Sequence, residues 1–153
     1  MTETSHDIST LNGLIASTFD SVEGYTAAAD HTRIGRLGAL FRARAYERGI
    51  VAHSFQVQVS RLGGKPAEGG TRLGGAHRVF RNLKGAVTGN GVRAIVSEVE
   101  RGEDMIKARF EAALNDNELS APVKATIETG FASVHEGHGQ MRDLKHSLEA
   151  MPE

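Results

Sequence analysis

Val134-His135-Glu136-Gly137-His138-Gly139-Gln140-Met141 lies within a run whose apolar residues, Val123, Ile127, Phe131, Val134, Met141, Leu144 and Leu148, recur at spacings of three and four. That recurrence is the mark of a long amphipathic α-helix. His138 falls in the slot where the stripe expects an apolar side chain, and His135 sits one turn earlier on the same face. An ionisable group on a buried stripe needs a partner, since burying a polar group unpaired costs about 1 to 3 kcal/mol. A metal ion, a carboxylate or a water would serve.

The same period runs through three earlier stretches, so the chain reads as one all-α domain over residues 1–153, with helices over about 8–30, 32–62, 92–114 and 120–149. Asp7 or Ser9 is placed to cap the first helix, whose buried face is Leu11, Leu14, Ile15, Phe19, Val22 and Tyr25. Glu23 stands at the margin of that face, with the solvent side the default for an unpaired carboxylate. The second helix carries two apolar stripes, Leu37, Phe41, Ala52, Phe55, Val59 and Leu62 on one side and Tyr46, Ile50, His53 and Val57 on the other. Two stripes fit two neighbours within a bundle, or one neighbour and a homodimer. Gly63 is suited to the left-handed residue that closes this helix.

Residues 63–75 form the plainest break, with Gly63-Gly64-Lys65-Pro66 and Glu68-Gly69-Gly70-Thr71, and together with the short helical pattern at Leu73, Ala76, Phe80, Leu83 and Val87 they make a link over 63–91. A link of that length suits a crossover that makes the helices on either side of it parallel. Asn90 is then available to cap the third helix. There Val96, Val99, Ile106 and Phe110 alternate by three and four, with Glu103 in the vacancy between Val99 and Ile106 and Glu100 one turn before it. A carboxylate in a core slot calls for a nearby cation; two glutamates at the bundle margin bonded to Arg or Lys are the structural alternative. Asn115-Asp116-Asn117-Glu118 reads as a turn, and Ser120 as the cap of the fourth helix.

Composition narrows the function classes. With 18 basic and 19 acidic residues the net charge is −1, which gives no electrostatic basis for binding nucleic acid or an anionic membrane. There is no cysteine, so a metal would be held by His, carboxylates and water. No apolar stretch is long enough to span a bilayer, and a polar amino-terminal segment fits a cytoplasmic protein.

Several segments together, Leu11-Asn12-Gly13-Leu14-Ile15, Val22-Glu23-Gly24-Tyr25, Arg61-Leu62-Gly63-Gly64, Asn82-Leu83-Lys84, Glu100-Arg101-Gly102-Glu103-Asp104 and His138 with Met141-Arg142-Asp143-Leu144, resemble an uncharacterised bacterial ferritin-like family, one of the domains of unknown function. The resemblance covers about the whole chain and is carried by order and spacing. It implies an up-down-down-up four-helix bundle with a long crossover between the second and third helices. In the wider ferritin and rubrerythrin-like superfamily, a Glu, a Glu-x-x-His, a Glu and a Glu-x-x-His from successive helices hold two metal ions. Carried onto this chain, the metal set is Glu23, His53, Glu100 or Glu103, and His138. Ile50 and His135 stand where two further Glu residues are expected. With two carboxylates lost, one iron or zinc ion per chain suits the set Glu23, His53, Glu103, His135 and His138 better than two, with Glu100 as a bridge if there are two. Metal handling or oxidative stress would be the setting, and any enzyme would be a metal-dependent oxidoreductase with poor ferroxidase turnover.

Two other classes compete. A metal-free structural or interaction bundle would keep a satisfied polar layer that fixes helix register. A histidine phosphotransfer module is suggested by Ala76-His77 with Leu83-Lys84-Gly85, but seven residues separate His77 from Lys84, roughly 10 Å along a helix. His6, His31 and His146 lie at helix ends, where solvation is the default.

Overall fold

A computed structural model describes residues 3–71 and 89–150, with side chains over 3–71 and 91–148. Among the described residues there are four α-helices and no strand: α1 Glu3–His31, α2 Gly35–Arg61, α3 Gly89–Leu114 and α4 Ala121–Ala150. The expected crossover helix, His77 and the side chain of Asn90 lie outside the described residues.

Each helix forms because its apolar residues fall on one side, and each ends where the chain chemistry requires it. α2 closes at Leu62 with Gly63 at φ 86°. The Gly64 amide donates to the Val59 carbonyl and the Gly63 amide to that of Ser60, both at 3.0 Å, the paired bonds of a Schellman motif. The start of α1 differs from the sequence expectation. It begins at Glu3, and Asp7, now inside the helix and buried, accepts the Ser120 amide at 3.0 Å, joining α1 to the first turn of α4. α2 begins three residues late because Thr32 and Ile34 make the turn, with the Thr32 hydroxyl accepting the Ile34 amide at 3.2 Å.

The helical bundle packs α1 on α2, α3 on α4, α1 on α3 and α2 on α4. Two apolar clusters fill it. One gathers Leu11, Ile15, Phe55, Phe110, Ile127 and Val134; the other gathers Tyr25, Ala28, Phe41, Val96, Val99 and Met141. Burial of this surface, at about 25 cal/mol per Å², is the main force holding the helices together. At Gly130 the absence of a Cβ lets α4 approach Phe55 and Val51 of α2, since an added Cβ would lie 2.8 Å from the Phe55 ring. After α2, residues 64–71 run back along α1. Asn12 bonds both Lys65 and Ala67, and Asp20 receives the amide and hydroxyl of Thr71.

Candidate functional site

Between the two apolar clusters lies a polar layer centred on Arg48. On α2 the inward positions Phe41, Ala45, Arg48, Ala52, Phe55 and Val59 alternate by four and three, so the backbone itself drives Arg48 into the core. Its side chain is fully buried. Opposite it on α3, Glu103 occupies the slot between Val99 and Ile106 and is 1% exposed.

The two groups meet in a bidentate pair. Arg48 Nη1 donates to Glu103 Oε1 at 2.7 Å and Nη2 to Oε2 at 2.6 Å. Nη1 also donates to Ser21 Oγ at 2.7 Å, and the guanidinium carbon lies 5.5 Å from the centre of the Tyr25 ring. That adds a cation–π contact from α1. On α4 Gly137 leaves the space the pair occupies: a Cβ there would stand 2.8 Å from Glu103 Oε2, and closer still to Arg48 Nη2. All four helices therefore meet at one side chain.

The electrostatics follow from this geometry. Burial pulls the Arg48 pKa down, but its hydrogen bonds to Glu103 and the charge of that carboxylate outweigh it, and the net shift is upward. Burial, then the negative charge of Glu103, pushes the Tyr25 hydroxyl well above its ordinary range. The layer thus carries one positive and one negative charge that offset each other. Two buried atoms in it, Tyr25 Oη and Arg48 Nε, make no hydrogen bond.

The other expected site residues do not converge on Glu103. His53 and His135 are exposed, and the His135 ring rests edge-on against Phe131. Glu100 is half-buried and accepts Lys145 Nζ at 3.0 Å. Glu23 is half-buried on α1. His138 is half-buried and hydrogen-bonded to Asp104, the neighbour of Glu103, across the α3–α4 contact. As placed, these side chains do not fit a mid-bundle ion, because both Glu103 oxygens are taken by Arg48 and the two exposed histidines lie outside the core. The physical reason lies in α2: its Tyr46, Ile50, His53 and Val57 stripe is opposite its core stripe, and among the described residues His53 and Val57 border Pro66 and Glu68 of the segment after α2, not a further helix.

Among the described residues, the His, Asp and Glu groups close enough to share an ion are His6, Asp116 and Glu118, at the end of the bundle. His6 Nε2 and Asp116 Oδ2 are 2.7 Å apart, and Asp116 Oδ1 accepts the Glu118 amide at 2.9 Å, so both oxygens of that carboxylate already have partners. A second buried cation, Arg44, ties α2 to α4. Its Nε donates to Gln140 at 2.9 Å and its Nη1 to Glu47 at 3.0 Å.

Arg48 was the residue that sequence reasoning missed. The signal was present: the α2 stripe leaves a gap between Phe41 and Ala52 of the same kind that singled out Glu103 on α3.

Residues 6–116, well over half the chain, match the family described as Domain of unknown function (DUF2383). The chain belongs to that family. No curated protein matches it. The DUF2383 match spans most of α1, all of α2 and α3, and the turn to Asp116, so Arg48, Glu103 and Ser21 lie inside it while Gly137 and His138 lie beyond it. No helix among the described residues of this DUF2383 chain is long and apolar enough to cross a membrane.

Proposed function

We propose that this DUF2383 chain is a ferritin-like, up-down-down-up bundle in which a buried ion pair stands where the superfamily keeps metal, and that it works as a metal-free structural and interaction module. The observation that carries the reading is the bidentate contact between Arg48 and Glu103 at the level between the two apolar clusters. A guanidinium there supplies the positive charge a buried carboxylate requires, in the planar geometry that satisfies both oxygens. The topology is supported by which residues share a cluster. The first half of α1 meets the second halves of α2 and α3 and the first half of α4, while the opposite halves meet in the other cluster. α1 and α4 then run one way, and α2 and α3 the other. The stretch of chain between Arg61 and Gly89 is long enough for the link such an arrangement needs.

The competing reading, one iron or zinc ion held by Glu103, His138 and their neighbours, requires Glu103 to exchange Arg48 for the ion. That would leave a buried guanidinium without its partner, a change of the kind that costs about 3 to 5 kcal/mol. Metal analysis of untagged protein, purified with and without a chelator wash, tests the choice. Far less than one equivalent of metal per chain is expected. About one equivalent, lost in Glu103→Gln, would overturn the reading.

A further inference from the structure

The solvent side of α2 carries a second regular seam. Ala39, Ala43, Tyr46, Ile50, His53 and Val57 alternate strictly by four and three, all exposed except the half-buried Val57. Tyr46 is 74% exposed and Ile50 54%. Two residues of offset turn a helix by about 200°, so this seam lies opposite the one that holds Arg48. Large apolar side chains left on a surface at such spacing call for a partner. A strict alternation over about 27 Å of helix specifies that the partner is another helix, packed knobs into holes.

We infer that the partner is the α2 helix of a second copy of this chain, in parallel and in register. The seam places Ile50 and Val57 at heptad position a, where β-branched residues favour parallel two-stranded pairing. The flanking charges select the same arrangement. Arg42 falls at position g and Glu47 at the following e, so a parallel copy sets Arg42 against the partner subunit's Glu47, twice by symmetry. Gln56, which donates to the Ala67 carbonyl within its own chain, then flanks the partner's Arg61, and the like charges that meet are the two copies of Arg36, at position a in the first turn of α2. An antiparallel pairing puts g against g and e against e and forms no such pair. Arg42 holds Asp30, and Glu47 accepts both Arg44 and the Ser133 hydroxyl within the chain, but at side-chain exposures of 60% and 42% both remain within reach of a partner.

The inference deepens the interaction-module reading and rests on it, yet the two fail separately: about one equivalent of metal that Glu103→Gln removes would overturn that reading, whereas oligomeric state tests the seam. The full chain is expected to sediment as a dimer at about 100 μM. Ile50→Glu, on an exposed position, is expected to weaken the dimer by about 30-fold or more with unchanged helicity. The chain has no cysteine, so Ile50→Cys alone reports the register: oxidation should give a covalent dimer in high yield. A monomeric wild type, or a dimer indifferent to Ile50→Glu, would overturn the seam. A dimer that Ile50→Glu breaks but Ile50→Cys does not cross-link would overturn the parallel pairing.

Discussion

Gly137 backs the guanidinium of Arg48 so closely that a Cβ at this position of α4 would collide with Nη2. The glycine is therefore the space into which the ion pair fits. A helix-interior glycine is otherwise unfavourable by roughly 1 kcal/mol relative to alanine. Gly137→Ala is expected to destabilise the protein by about 1 to 3 kcal/mol in urea denaturation, because the guanidinium is pinned by Glu103 and cannot swing aside. In an Arg48→Met, Glu103→Leu background the sign should reverse. Gly139, which has nothing within 4 Å of its added Cβ, is the control: Gly139→Ala should stabilise by about 0.5 to 1 kcal/mol. Equal effects at the two glycines would contradict the packing described.

The pair His6–Asp116, which ties the start of α1 to the α3–α4 turn, sets a pH window. Its hydrogen bond to Asp116 raises the His6 pKa above 6.5, so its stabilising contribution is full below 6.5 and is lost as pH rises through the higher folded value. The Glu118 amide and then His6 lower the Asp116 pKa below 3.8, so its contribution is present above 3.8 and lost as pH falls through the lower folded value. The difference in melting temperature between wild type and His6→Gln should be largest between these limits and smaller at pH 8. A difference that grows toward pH 8 would show that the pair is not what stabilises this end.

Metal-linked stability offers a separate check. An ion bound a hundredfold above its Kd would stabilise the fold by about 2.7 kcal/mol, a shift of several degrees. In a His6→Gln background, which removes a donor of the group at the bundle end, Zn2+ or anaerobic Fe2+ should leave the melting temperature unchanged. A rise abolished by His138→Ala would point to an interior ion. Without metal, His138→Ala should cost under about 1 kcal/mol, since its partner Asp104 is 59% exposed.

Much of this architecture was legible in the sequence, for reasons particular residues make plain. Gly63 closes α2 because only a residue without a Cβ takes its left-handed conformation freely, and that requirement shows in the letters alone. Glu103 was visible as a carboxylate in an apolar slot. Its partner was not, because arginine is taken for a surface residue and its long side chain hides the fact that Arg48 completes the core period of α2. His53 failed for a different reason. Periodicity identifies a stripe but not which stripe faces inward, and on α2 the stripe with Phe41, Phe55 and Val59 took the core and left Tyr46, Ile50 and His53 outside. Asp7 reads as a cap, yet the helix begins a turn earlier and its carboxylate serves Ser120, a contact between residues 113 apart that no local pattern encodes.

A double-mutant cycle between Arg48 and Glu103 tests the central claim most directly. Arg48→Met and Glu103→Leu, measured singly by equilibrium unfolding, are each expected to cost about 3 to 5 kcal/mol, because each strands a buried charge. The double mutant should recover most of that loss, giving a coupling of about 3 kcal/mol or more. Additive effects, or a neutral Glu103→Leu, would mean that Arg48 is not the cation that holds Glu103 in the core.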